Sequence, residues 1–349
     1  MNWKTALGQP GVLAALAAAL LFGAGTPLAK LLLDRVSPWL LAGLLYLGSG
    51  IGLSLYRLAT RAPAVQLPRR EVGWFAGAVV SGGIVGPVLL MFGLIGMPAS
   101  GASLLLNAEG VFTALLAWFV FRENFDRRVA LGMFAIVAGA VVLSWPGETQ
   151  WGSLWPALAI LGACLAWAID NNLTRKISLS DASWIAAIKG LVAGSFNLAL
   201  AVSLGASLPA WSKLFGTMVL GFFAYGVSLA LFVVALRHLG TARTGAYFSI
   251  APFLGSLLAV AMGDAVTAPL LAAGFLMAIG IWLHLSERHE HVHTHEAMEH
   301  DHEHTHDEHH QHEHPEPVAP GTRHSHRHVH EPLTHSHPHY PDAHHRHTH

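Results

Sequence analysis

Ten stretches of this chain are each apolar over about twenty residues, and that pattern decides what it can fold into. A helix needs ~20 such residues to cross a hydrocarbon core. In lipid, only helices and closed barrels satisfy their own backbone groups. The candidate spans are residues 11–33, 38–56, 72–94, 99–121, 128–145, 153–170, 183–205, 214–236, 243–262 and 268–285. Of the 349 residues, 53% are hydrophobic and 12% charged, against ~25% charged in soluble domains. The fold class expected is all-α: a polytopic membrane protein with ten transmembrane helices. Segment 11–33 is too long for a signal h-region and continues into further spans, so no cleavable signal peptide is read. The single cysteine, Cys164, rules out a disulfide within the chain and reads as a packing residue.

Lys and Arg set the orientation of such a bundle. With a cytoplasmic N-terminus, the inner segments collect Lys4, Arg57, Arg61, Arg69, Arg70, Arg122, Arg127, Arg128, Arg175, Lys176, Arg237 and Arg243. The outer loops then hold only Arg35 and Lys213. The expected location is a bacterial-type inner (plasma) membrane with both termini cytoplasmic. Loop 146–152 divides the helices into two sets of five. Because five is odd, two related halves would insert in opposite senses, as inverted repeats do. The run GASLLLNAEGVFTALLAWFVFRE from Gly101 resembles GAYFSIAPFLGSLLAVAMGD from Gly245. Each has Gly-Ala early, a helix-loosening residue in mid-span (Gly110, Pro252) and an acid at its end (Glu123, Asp264). The organisation expected is a first five-helix repeat over 1–145, a second over 153–285 and a tail over 286–349.

The residues ALLAWFVFRE (114–123), their weaker counterpart APFLGSLLAV (251–260) and the Gly25–Thr26 pair carry a resemblance. Over residues ~10–285 the chain resembles the EamA branch of the drug/metabolite transporter superfamily. The resemblance implies a ten-helix secondary transporter in two inverted repeats, with export as the favoured direction. Two positions depart from the family pattern. Gly110 stands where Pro commonly follows the acid of the fourth helix, and Asp264 stands where Glu commonly ends the ninth.

Charged groups inside a membrane are costly, ~2.5–3.5 kcal/mol on insertion scales, and usually face a bundle interior or a cavity. Glu109, with Asn107 beside it, lies near the middle of the fourth span. A carboxylate at that depth is a candidate for coupling, by taking up and releasing a proton. Lys189, beside Gly190 and Gly194, is a candidate partner of Glu109 or of an anionic substrate group. Lys30 lies closer to the end of its span, where an amine can snorkel to the interface. Asp170 and Asn171, with Asn172, read as the cytoplasmic edge of the sixth helix, either as ordinary caps or as a binding rim. Pro87 and Pro252 free backbone carbonyls that must find partners or line a cavity. Tyr247 and Ser249 make the Pro252 region a candidate part of the site. Asn197 reads as glue between helices, and Glu123 and Asp264 as structural helix ends.

The tail is of another kind. It holds all but two of the 25 histidines, largely as H-x-H. The first block is His289, His291, His293 and His295; His300, His302, His304 and His306; and His309, His310, His312 and His314. The second block includes His324, His326, His328 and His330. With few apolar residues and several prolines it is expected to be disordered without ligand. Clustered imidazole among carboxylates suits Zn²⁺, Ni²⁺ or Co²⁺. A pH-responsive tail is a further reading.

No nucleophile–base pair, phosphate-cradling Gly loop or cofactor motif is present, so no enzyme and no required cofactor are expected. The charge-poor outer loops leave no case for nucleic acid. The partners expected are the bilayer and a small-molecule or metal-ion substrate, and a homodimer is compatible with the sequence. The leading reading is a transporter of a small solute with a cytoplasmic tail that buffers or senses divalent metal. A divalent-cation exporter is the alternative, although the membrane body lacks an evident ligand set. A membrane-anchored metal-storage or sensing protein is the third.

Overall fold

The structure is a computed structural model. It describes residues 10–33, 36–120, 127–144, 154–178, 180–285, 290–295, 298–304, 324–330 and 333–338. Residues through Glu287 form one compact unit and Arg288–His349 another.

The first unit is helical. Helix α1 spans Pro10–Leu33, α2 Pro38–Ala59 and α3 Arg69–Ile95. Helix α4 has two pieces, Ala99–Leu105 and Ala108–Phe119. Then come α5 (Arg127–Ser144), α6 (Trp155–Arg175) and α7 (Ala182–Ser203). Helix α8 covers 211–248, α9 Ala251–Ala261 and α10 Ala268–Leu285. Among the described residues, seven helices are long and apolar enough to cross a membrane, and three shorter apolar helices accompany them. Large apolar side chains also lie on the outside, as lipid contact requires: Phe215 and Phe275 are 69% exposed.

Local chemistry sets the ends. Ser37 caps α2, its hydroxyl accepting from the Leu40 N–H at 3.4 Å, with Pro38 at the first helical position. Asp181 caps α7, accepting from the Trp184 N–H at 2.9 Å. Packing between helices relies on small residues, since lipid tails offer no hydrophobic contrast. Helix α2 is held on both sides this way. Gly50 and Gly190 bring α2 and α7 to backbone contact, and Gly48 and Gly221 do the same for α2 and α8.

The two sets of five helices share their irregularities. Helix α4 breaks at Leu106–Asn107, and the chain breaks again at Ser249–Ile250 before α9. These breaks fall within one residue of each other when Gly101 is set on Gly245. A π-helical turn, Val79–Val85, lies within α3, and a second, Phe222–Val227, within α8. In both, an N–H reaches back five residues: Gly86 to Ser81, and Ser228 to Phe223. The expected loop between the eighth and ninth spans is corrected. The polar residues Arg237, His238 and Arg243 suggested an end at 236, but the helix runs on to Phe248.

Two groups of contacts mark the bundle's opposite ends. At one, Arg57 pairs with Asp181 at 2.7 Å and Arg237 donates to the Ser180 carbonyl at 2.9 Å. At the other, Asp264 accepts from the Ser100 N–H at 2.8 Å, capping α4 from the end of α9.

In the second unit four short strands are described: Glu290–His295, Met298–His304, His324–His330 and Leu333–Pro338. The first pairs with the fourth and the second with the third, both antiparallel. The sequence reading expected no regular structure there. H-x-H alternation has the period of a strand, so two such runs can be laid in register. His300 stands opposite His328, His302 opposite His326 and His304 opposite His324.

Candidate functional site

The site grows from the break in α4. There the Leu106, Asn107 and Glu109 N–H groups bond three residues back instead of four. The Asn107 side-chain amide donates to the Leu104 carbonyl at 3.1 Å, competing with the helix ladder. The expectation put the loosening at Gly110; the structure puts it at Leu106–Asn107, just before Glu109. Asn107 itself faces Met277 of α10, 3.6 Å from its sulfur, and is buried.

Glu109 opens the second piece of α4 and is half-buried. Asn171 Nδ2 donates to its Oε1 at 2.7 Å and lies 3.5 Å from the Thr113 hydroxyl. Among the described residues no cation pairs with it. A side chain at neighbouring Gly110 would meet nothing within 4 Å.

Lys189 does not pair with Glu109. It pairs with Asp170: Nζ lies 2.5 Å from Oδ1 and 2.7 Å from Oδ2, with Lys189 only 1% exposed. The Thr174 hydroxyl donates to Asp170 Oδ1 at 2.8 Å. This also corrects the placement of Asp170 and Asn171 at a helix edge. Helix α6 continues to Arg175, so its polar run Asp170–Thr174 lies within the helix, with Asp170, Asn172 and Thr174 buried. Asn172 donates to the Ala168 carbonyl at 2.9 Å and the Thr113 carbonyl at 3.3 Å.

The other expected site residues lie elsewhere. Lys30 Nζ donates to the Leu94 carbonyl and, at 3.2 Å, to that of Met97, satisfying orphan carbonyls at the end of α3. Tyr247 packs beside the Val12, Ala15, Ala235 and Leu239 cluster of α1 and α8. Pro252 is buried at the start of α9, where the Ala251 carbonyl lies against Gly23. The metal candidates of the tail, His289 through His330, have side chains outside the described residues. Among the described residues no group of three His, Cys, Asp or Glu converges as a metal site.

Sequence reasoning missed what surrounds the ion pair. The Tyr46 hydroxyl donates to the Gly82 carbonyl at 2.7 Å, and Trp167 Nε1 to the same oxygen at 3.0 Å. Phe22 packs edge-on to Trp167 and Tyr225, with ring centres 5.7 and 5.9 Å away, and Phe248 lies 5.3 Å from Phe22. The result is an aromatic wall beside the closed Asp170–Lys189 pair, with the Glu109 carboxylate held separately by Asn171.

The EamA-like transporter family matches residues 9–145. An uncharacterized transporter of Methanothermobacter thermautotrophicus is 26% identical over 270 residues, covering 71% of this chain and 78% of that protein. A protein of Salmonella typhimurium named a probable amino-acid metabolite efflux pump is 26% identical over 287 residues, covering 78% and 93%. A protein of Pseudomonas fluorescens named a probable 4-amino-4-deoxy-L-arabinose-phosphoundecaprenol flippase subunit is 34% identical over 82 residues, covering 24% of this chain and 71% of its own. One solved crystal structure superposes with a TM-score of 0.63 at 19% identity, over 78% of this chain and 94% of that one, and shares the fold. A bundle of apolar helices, a match to the family model and relatives named as transporters lead to one conclusion: the chain is an integral membrane protein that belongs to the EamA-like transporter family of the drug/metabolite transporter superfamily.

Proposed function

We propose that the protein is a secondary transporter that exports a small organic solute by alternating access between two inverted five-helix repeats, with Glu109 in the coupling role. The observation that carries this reading is Glu109 itself. It is half-buried at a helix break and is bonded to Asn171 of the other five-helix set. Transport sites favour interrupted helices at the repeat interface. Export draws support from the relative named an efflux pump. The Arg57–Asp181–Arg237 end is read as cytoplasmic by the positive-inside rule, and the His-rich tail would share that side as a buffer or sensor of divalent metal.

The test is counterflow of radiolabelled leucine and alanine in proteoliposomes, with zinc flux followed by an enclosed dye. Full-length, Glu109→Gln and 286–349-deleted forms are compared at equal incorporation. The expected result is amino-acid counterflow abolished by Glu109→Gln and kept on tail deletion, with tail deletion removing bound zinc. Zinc flux that depends on Glu109 would make metal the cargo and overturn the organic-solute reading.

A further inference from the structure

Pro87 lies within α3 and has no N–H to donate. Its α-helical partner would be the Gly83 carbonyl, and its partner in the register of the π-turn would be the Gly82 carbonyl. Both oxygens are satisfied from outside the helix. Gly82 accepts from Tyr46 of α2 at 2.7 Å and from Trp167 of α6 at 3.0 Å. Gly83 accepts from Asn197 Nδ2 of α7 at 3.4 Å. Buried carbonyls away from water demand such partners, and here one donor to Gly82 comes from each set of five helices.

The π-turn also sits directly on the ion pair. Gly82 has no room for a Cβ because the Asp170 carboxylate occupies that space. A Cβ on Gly83 would come within 2.7 Å of Ala193 Cβ and 3.4 Å of Lys189 Cγ. Any change in the turn therefore moves Asp170 and Lys189. On its other side the Tyr46 ring lies 5.3 Å from that of Tyr225, which belongs to the π-turn of α8. Phe22 closes the circuit by touching both Tyr225 and Trp167. π-Turns inside α-helices are frequent at functional sites; here two of them meet through one tyrosine.

We propose that Tyr46 and Trp167 are positioning residues of the central site: they stand in for the N–H that Pro87 lacks, hold the α3 π-turn against the Asp170–Lys189 pair, and join it through Tyr225 to the π-turn of α8. Two donors share one oxygen, so one can release while the other holds. The functional reading supplies only the word transport for this site. The geometry is tested without any cargo, so the two can fail separately.

The experiment is hydrogen–deuterium exchange of the full chain in nanodiscs, read on peptides covering residues 79–91. Tyr46→Phe removes one donor and keeps the ring, and Trp167→Phe removes the other while exchanging the indole for a smaller aromatic ring. Each is expected to speed exchange in that segment about tenfold, because the π-turn loses an anchor. Pro87→Ala returns an N–H to the helix and lets it close its own ladder. In that background Tyr46→Phe is expected to change exchange less than twofold. Pro87→Ser supplies the same N–H should the alanine form fail to fold. Exchange within twofold of wild type in both single variants overturns the proposal. So does an equally large Tyr46→Phe effect with and without Pro87, which would mean the hydroxyl supports general packing rather than the Gly82 carbonyl.

Discussion

Removing Lys189 should be far more damaging than removing the whole ion pair. Lys189→Met keeps length and apolar volume but leaves the Asp170 carboxylate, with a side chain only 8% exposed, without its cation. Breaking one side of a buried pair costs about 3–5 kcal/mol, because the surviving charge is uncompensated. At ~2–4 °C per kcal/mol for a large domain, the unfolding midpoint falls by roughly 6–20 °C. Lys189→Met with Asp170→Asn removes both charges. The new amide keeps the Thr174 hydroxyl within reach, since Thr174 lies 2.8 Å from Oδ1. The double variant should therefore recover to within about 1–2 kcal/mol of wild type, as replaced buried pairs commonly do. Thermal unfolding in nanodiscs, followed by far-UV circular dichroism, separates the three proteins. If the double variant melts as low as Lys189→Met alone, charge balance is not what holds this region. A Lys189→Met midpoint equal to wild type would be equally fatal to the reasoning.

Two further perturbations probe the scaffold. Asp181 is partly exposed; burial works against its charge, but the Ser183 hydroxyl, the Trp184 N–H and Arg57 outweigh it and hold the carboxyl below the usual carboxylate range. A depressed folded-state value means its contribution is present above pH ~4 and lost as pH falls through that lowered value. Solvent screening keeps it under ~1 kcal/mol. Asp181→Asn should melt slightly below wild type at pH 7, and the gap should narrow as the pH is taken down below ~4; a gap that does not narrow with falling pH refutes the assignment. Gly221→Val forces a side chain into the Leu45 backbone and should cost at least ~1–3 kcal/mol. Gly216→Ala, in the same helix with open space around it, should be neutral or stabilising by up to ~1 kcal/mol; equal effects of the two would deny the close α2–α8 approach.

What could be read from sequence was whatever has a local cause. Hydrophobic length located the helices, and the Gly101–Gly245 match paired two stretches that do break, although it put the loosening at Gly110 and Pro252, a few residues past the breaks. Pro87 announced freed carbonyls. Their donors, Tyr46 and Trp167, were not legible, because they come from other helices and neither residue type signals a partner. The pairing of Lys189 with Glu109 failed for a related reason. Glu109 stood out as the deepest acid, while Asp170 seemed to lie at an edge, since Asp-Asn-Asn followed by Thr-Arg-Lys has the composition of a helix end. Burial reversed that: those polar side chains turn inward toward α3, α4 and α7, where the bundle satisfies them. The run from Arg237 to Arg243 misled in the same way, its charges masking a continuous helix.

The distribution of bonds between the two sets of five helices says which contacts a rocking motion would change. Asp170–Lys189 joins α6 to α7, both in the last five, so it travels as a unit. Asn171 to Glu109, Asn172 to the Thr113 carbonyl and Trp167 to the Gly82 carbonyl all run from α6 to the first five. Helix α6 is thus one part of the seam, beside the close α2–α7 and α2–α8 approaches, the Arg57–Asp181 pair and the Asn197 bond to Gly83. A bond to a charged group is worth ~1.5–3 kcal/mol net and each neutral one ~0.5–1.5, so the three sum to roughly 2.5–6 kcal/mol. Micromolar binding of a cargo supplies about 8 kcal/mol, enough to offset that sum. Separating the ion pair as well would add ~3–5 kcal/mol, bringing the total to roughly 5.5–11 kcal/mol, about the size of the binding energy itself. Opening along α6 is cheaper when Asp170 and Lys189 move together, and their placement on α6 and α7, both in the last five helices, allows that.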